Sequence, residues 1–292
     1  VAHDAGAARH LSSWIEPLSD QLVFCLQGPA HDICKAQRPE INNNAYSTEL
    51  MANCKLLISG TSWASDLEHR ARLHAHKKKL PNIAVIDHWI NYGERFIRNG
   101  EITLPDAIWV ADKEAQKISS EKFPHIPTIR LNNQWLDNLK AEVFVLNSKK
   151  PQKPAQNLTF FLEPVRDLKT GKPNQEEFNS LNYWLQKLPR LQSTGFVHPD
   201  PEQLNLTLRP HPSENEGKYH EWAKKTSMKW DLNIEKKSSL AEILAKTDMA
   251  FGYETQALVA ALECNIPAMS CIPTGTRHCR LPHKNLLHAQ NF

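Results

Sequence analysis

The sequence predicts an α/β protein of two domains, each a mostly parallel sheet covered by helices. Short apolar runs of strand length alternate with longer amphipathic stretches, and that alternation calls for crossover connections between parallel strands. A Pro- and Lys-rich segment at 147–157 interrupts the pattern once and reads as a linker. The 292 residues suffice for two medium domains, placed at 1–146 and 158–292.

In the first half, Leu22–Leu26, Lys55–Ile58, Ile83–Ile86, Ala107–Val110 and Thr128–Leu131 read as strands. Each is short, rich in branched residues and closed by polar or small ones. Arg9–Ser19, Ser62–His76 and Asp112–Lys122 read as helices, with Asp112 as N-cap and Pro124 beyond the stop. Trp135–Val145 is one further helix, and Asn147–Gln156 then holds two prolines and three lysines without apolar periodicity. In the second half the strands are Leu158–Leu162, Leu204–Leu208, Met249–Phe251 and Ala268–Ile272. The helices are Glu176–Leu188, Glu214–Lys225, Ser239–Ala245 and Thr255–Glu263.

Composition excludes several classes. Lys and Arg total 35 against 32 Asp and Glu, a net +3, too small an excess for a dedicated nucleic-acid binder. Glycine is scarce, and neither G-x-G-x-x-G nor G-x-x-x-x-G-K-[ST] occurs. No run approaches the ~20 apolar residues of a membrane span. Val1–Ile15 lacks the apolar core of a signal peptide. The chain opens on Val rather than Met, which leaves room for a missing leader or tag. The six cysteines form no C-x-x-C pair and read as reduced thiols, so a cytoplasmic location is expected. With no D-x-D, H-E-x-x-H or zinc-spaced quartet, neither a metal nor another cofactor is expected.

Ligands of open α/β sheets bind beyond the carboxyl ends of the strands, and with two such domains the cleft between them is the expected site. The strongest segment there is Leu208-Arg209-Pro210-His211-Pro212, where Arg209 and His211 can donate to phosphate oxygens. The plain alternative is a Pro-stiffened turn. Gly252-Tyr253-Glu254-Thr255 follows the next strand. Thr255 can cap the small-residue helix beyond it, whose N–H groups suit phosphate, and Glu254 can accept from ribose hydroxyls. An ordinary helix cap is the alternative.

In the first half, His3, Asp4 and Gly6 form a strand–helix loop in which Asp4 can serve as general base or merely as N-cap. Asp87 and His88 follow a strand and lead into an aromatic segment, Trp89 to Phe96, suited to a sugar or acceptor surface. Gly60 and Thr61, and Glu163 with Arg166, are weaker strand-end candidates. Ser238 and Ser239 precede a helix and can cap it or hold a phosphate oxygen. The basic run His69–Lys79 reads as a solvated helix end or as a peripheral contact with an anionic membrane.

This arrangement resembles a GT-B glycosyltransferase of two Rossmann-like domains. Arg209-Pro210-His211-Pro212 resembles the His-Pro motif of bacterial sialyltransferases, Kdo transferases and capsule-type transferases, and Ser238-Ser239 resembles their Ser motif. Gly252–Glu263 is similar to the G-x-E-[ST] helix start that holds the nucleotide in many GT-B enzymes. The resemblance implies that His211, Ser238 and Ser239 hold the phosphate and that Asp4 is the base. The expected function is metal-independent transfer of a sugar, a CMP-linked acidic sugar by preference, from a nucleotide-sugar donor to a glycan acceptor. The setting would be bacterial lipopolysaccharide or capsule assembly, at the inner membrane's cytoplasmic face. The rival functions are a teichoic-acid-type polyol-phosphate transferase, a sugar-nucleotide 2-epimerase and an inert nucleotide-sugar-binding protein.

Overall fold

The structure is a computed structural model that describes residues 1–15, 21–62, 65–147, 151, 153–165, 174–212, 214–226 and 231–292. Contacts group Val1–Trp135 into one unit and Leu136–Phe292 into another.

The first unit runs α1 (Ala5–Trp14), α2 (Gly28–Gln37), α3 (Thr48–Ala52), β1 (Leu57–Ser59), α4 (Leu67–Lys78) and β2 (Asn82–Ile86). It continues through β3 (Ile97–Arg98), β4 (Glu101–Ile102), β5 (Ala107–Val110), α5 (Lys113–Lys122) and β6 (Thr128–Arg130). Strands β1, β2, β5 and β6 pair in that order, all parallel. The chain start extends this sheet. Val1 N donates to Ile58 O at 2.8 Å and Gly60 N to Val1 O at 2.9 Å. On the other side Ala2 bridges Leu26, and Phe24 bridges Asn43, both in parallel. The lateral order is therefore Asn43, Phe24–Leu26, Val1–Ala2, β1, β2, β5, β6, and the direction of travel reverses between Val1–Ala2 and β1. Alanines at 7 and 8 let α1 lie close to this sheet, against Leu26 and Val85.

Leu22–Leu26, expected as a strand, makes only the two isolated bridges. The short helices α2 and α3 and the β3–β4 hairpin were not expected. The hairpin turns through Asn99 and Gly100, both at positive φ (50° and 80°), which these two residues tolerate. The α4 helix begins at Leu67 rather than Ser62.

The second unit runs α6 (Gln134–Leu146), β7 (Asn157–Phe161), α7 (Glu176–Ser193), β8 (Asn205–Arg209), α8 (His220–Lys225) and β9 (Asp231–Ile234). It ends with α9 (Leu240–Ala245), β10 (Met249–Gly252), α10 (Gln256–Glu263), β11 (Ala268–Ser270) and β12 (Leu287–His288). The α6 helix packs here: Lys140 pairs with Glu263 at 3.5 Å, and Asn147 just beyond it donates to Ala245 O at 2.6 Å. The sheet order is β12-β11-β10-β7-β8-β9, all parallel, so its reversal lies between β7 and β10. Trp184 of α7 fills the core against Phe160 and Phe251, with ring centroids 6.0 and 5.4 Å apart.

Two helix ends differ from expectation. The α7 helix continues through Pro189 to Ser193 because Leu188 and Leu191 are both buried, and their packing outweighs one lost backbone bond. The α8 helix starts at His220, not Glu214. The Glu214 carboxylate accepts from His211 N, Lys218 Nζ and Tyr219 Oη, which ties these residues together ahead of α8.

Candidate functional site

Open sheets of this kind bind ligands at their carboxyl edge, beside the reversal point. In the first unit this point is flanked by the loops after Ala2 and after β1, and the loop after β2 reaches it. Asp4 stands at the N-cap position of α1, yet its side chain makes no cap hydrogen bond. Instead Asp4 Oδ1 accepts from Ser62 Oγ at 2.8 Å and lies 3.0 Å from His3 Nδ1. The capping alternative therefore fails for Asp4. His3 N donates to the buried Glu68 carboxylate at 2.8 Å, which fixes the loop from behind.

Gly6 and Gly60 are required by close approach. A Cβ on Gly6 would lie 1.7 Å from Asp87 Oδ2, and one on Gly60 would lie 3.0 Å from Ala7 Cβ. Asp87 thus rests directly over the first turn of α1. Arg95 Nη1 reaches Asp87 Oδ1 at 3.3 Å and Thr61 Oγ1 at 3.1 Å, tying the loops after β1 and β2 together. Burial pushes the Asp87 carboxyl up, but Arg95, with His88 and His10, outweighs it and holds the group below the ordinary carboxylate range. His10 is buried and stacked on Trp14, and burial pushes its imidazole down to about 4.

The structure thus brings His3, Asp4, Gly6, Gly60, Thr61 and Asp87 together. His88, next in sequence, accepts from Trp89 N at 2.9 Å. The aromatic surface expected after it is absent. Trp89, Tyr92 and Phe96 are buried, with Trp89 Nε1 on Asp112 and Tyr92 Oη on Ala115 O. They build the core beneath the loop rather than a sugar platform.

In the second unit the reversal point is flanked by the loops after β7 and β10. Glu163 Oε1 accepts from Glu254 N at 2.5 Å, and burial pushes the Glu163 carboxyl up to about 7. Thr255 caps α10, accepting from Ala257 N at 3.3 Å. Gly252 again admits a backbone: a Cβ there would lie 2.8 Å from Phe161 O. Arg166 lies outside the described residues.

Two expectations are corrected here. Glu254 was assigned to ribose, but its carboxylate is 2 % exposed and filled by arginines. Arg277 grips it through two bonds of 2.8 Å, and Arg280 adds its own backbone N–H and guanidinium. Arg277 also lies over the Tyr253 ring, 4.9 Å from its centroid. Arg209 was assigned to phosphate, but its Nη1 and Nη2 donate to Glu235 O and Ser238 O at 3.0 and 2.7 Å. Arg209 is a positioning residue that holds the loop before α9. In that loop Ser239 forms a capping box with Glu242, so its hydroxyl serves the helix. Ser238 N donates to Glu235 Oε1 at 3.0 Å. His211 is exposed.

Sequence reading does not pair Ser62 with Asp4 and assigns no contact to Arg95, Glu214, Arg277 or Arg280. Their partners are 58, 8, 3 and 23–26 residues away. Only the Arg95–Asp87 and Glu214–His211 spacings are local enough for sequence reading to have signalled them.

Among the described residues no group of three or more His, Cys, Asp and Glu side chains could hold a metal ion. No helix described is long and apolar enough to cross a membrane.

No protein-family model and no curated protein matches the chain. Solved structures do. The UDP-GlcNAc 2-epimerase of Neisseria meningitidis, bound to UDP-GlcNAc, superposes with a TM-score of 0.60 at 10% identity, covering 92% of this chain and 81% of that one. The UDP-GlcNAc 2-epimerase of Methanocaldococcus jannaschii gives 0.60 at 10% identity over 98% and 87%. MurG of Acinetobacter baumannii gives 0.51 at 7% identity over 100% and 86%. At such identities the likeness speaks for architecture: the chain has the GT-B fold, with two Rossmann-like domains.

Proposed function

We propose that the protein is an enzyme acting on a nucleotide-activated sugar, with the reacting sugar served by Asp4 and Asp87. The observation that carries this reading is Asp4, an N-cap carboxylate that does not cap and instead receives a hydroxyl at the sheet's reversal point. On the second unit, the α10 N-terminus behind Thr255 favours negative charge of the kind a phosphate carries.

Of the possible reactions, sugar-nucleotide 2-epimerisation has the better support. Two of the fold neighbours carry that activity and were solved with UDP-GlcNAc. No such neighbour supports a CMP-linked acidic sugar. Inverting C2 requires a base to take its proton while the nucleotide leaves C1, and an acid to return a proton on the opposite face as the nucleotide rejoins C1. Asp4 beside His3, and Asp87 beside Arg95, would place two carboxylates at this point. A second reading, transfer to a glycan hydroxyl, is favoured by the Ser62 contact: a hydroxyl donating to Asp4 at 2.8 Å shows how an acceptor would be held for deprotonation.

Incubation with UDP-GlcNAc in D2O separates these. Epimerisation gives the C2 epimer with deuterium at the inverted carbon. Consumption of donor only when a glycan is added supports transfer. Neither product, together with no thermal shift from any of CMP, UDP, GDP or their sugars, defeats the nucleotide-sugar reading. Saturating ligand at a hundred times its Kd should stabilise the fold by about 2.7 kcal/mol.

A further inference from the structure

Sequence alone shows the basic half of a surface feature; the fold supplies an apolar half. Ile97 and Ile102 are direct partners across the β3–β4 hairpin, so both side chains stand on one face. They are 40% and 63% exposed. Leu104, two residues beyond Ile102, is 36% exposed, while Thr103 between them is buried with its hydroxyl 3.4 Å from His69 Nε2. The chain after β4 is fastened to the end of α4, since His76 Nε2 lies 2.6 Å from Leu104 O. At that helix end Lys77, Lys78 and Lys79 are all exposed. Three exposed apolar side chains on and just after the hairpin thus share this part of the unit with three adjacent exposed lysines.

We propose that this hairpin and the α4 terminus form one docking surface for an anionic lipid bilayer. The apolar side chains would enter the headgroup region while the lysines meet lipid phosphates, the two-part chemistry of interfacial binding. Isoleucine at 63% exposure on a hairpin strand has no reason in the fold itself, because Phe96 and Thr103 already anchor the hairpin inward. A polyanion such as nucleic acid would use the lysines and leave the isoleucines unexplained. The hairpin is joined to the candidate site, since Arg98 donates to Ser62 O and Ser62 donates to Asp4. Docking there would hold the first unit's reversal point beside the lipid surface. The inference stands whichever sugar reaction the protein performs.

Co-sedimentation with vesicles of phosphatidylcholine plus phosphatidylglycerol, against phosphatidylcholine alone, tests it. Wild type should bind the mixed vesicles only, and bind them less in high salt. Replacing Lys77, Lys78 and Lys79 together by Ala should weaken partition on the order of 100-fold. Ile102→Ser should weaken it on the order of 10-fold with an unchanged melting temperature. Equal partition of wild type to both vesicle types, or no binding to either, overturns the proposal. So does an Ile102→Ser variant that binds like wild type, because the attraction is then charge alone and the hairpin has no part in it.

Discussion

At the first unit's reversal point the Asp4 and His3 side chains are 35% and 20% exposed. In the second unit, the Glu254 carboxylate at the reversal point and the Glu214 carboxylate after β8 are each 2% exposed and surrounded by arginine, lysine and tyrosine donors. The same residue type at equivalent edges of similar sheets therefore does different work. An open carboxylate with one hydroxyl and one imidazole beside it can exchange protons with a substrate. A saturated one has no acceptor site left and acts as a rivet, joining loops that the strands alone would leave loose. Under the proposed function the acid–base groups belong to the first unit.

The strongest way to break this contrast is at Asp4. Asp4→Asn should lower turnover by ~10²–10⁴-fold, with thermal stability and nucleotide affinity unchanged. Turnover near wild type would remove Asp4 from the chemistry. Glu254→Ala should do the reverse. Taking the carboxylate from between two arginines should cost about 3 kcal/mol of stability. Chemical denaturation reads this directly, and a loss below about 1 kcal/mol would mean that Glu254 is no rivet.

The two units should also respond to pH in opposite directions. His10 is held neutral, with its value lowered from 6.5 to about 4. Its contribution is present above pH 6.5 and is lost as pH falls through about 4, by about 2–3 kcal/mol. Glu163 is raised from 4.5 to about 7. Its contribution is present below pH 4.5 and is lost as pH rises through about 7, by about 1–2 kcal/mol because water reaches part of the side chain. Denaturation across pH 4–8 should show His10→Gln flattening the acid limb and Glu163→Gln the alkaline one. The smallest effect is expected at Ser239, where Ala removes the capping box for about 1 kcal/mol. Activity should survive that change, and loss of phosphate binding instead would return Ser239 to the ligand.

Local chemistry made much of this legible. Branched runs closed by polar residues gave β2, β5, β7, β8, β10 and β11 within a few residues. Asp112, Ser239 and Thr255 were readable as caps because capping is a matter of the next three residues. Asn99-Gly100 between two isoleucine-bearing pairs carried a hairpin signal that could have been read the same way. Asp4 was legible as a candidate and ambiguous in role, since nothing in its neighbours distinguishes a cap from a base.

What tertiary structure alone decided is lateral order and pairing. Strand order places the reversal between Val1–Ala2 and β1 in one sheet and between β7 and β10 in the other, and no local pattern encodes which strands become neighbours. Ser62 meets Asp4 across 58 residues, and Arg277 meets Glu254 across 23. Sequence periodicity fixes which face of an element is apolar. Which charged groups then remain open, and which are sealed by a distant partner, follows from where the crossovers bring those faces together.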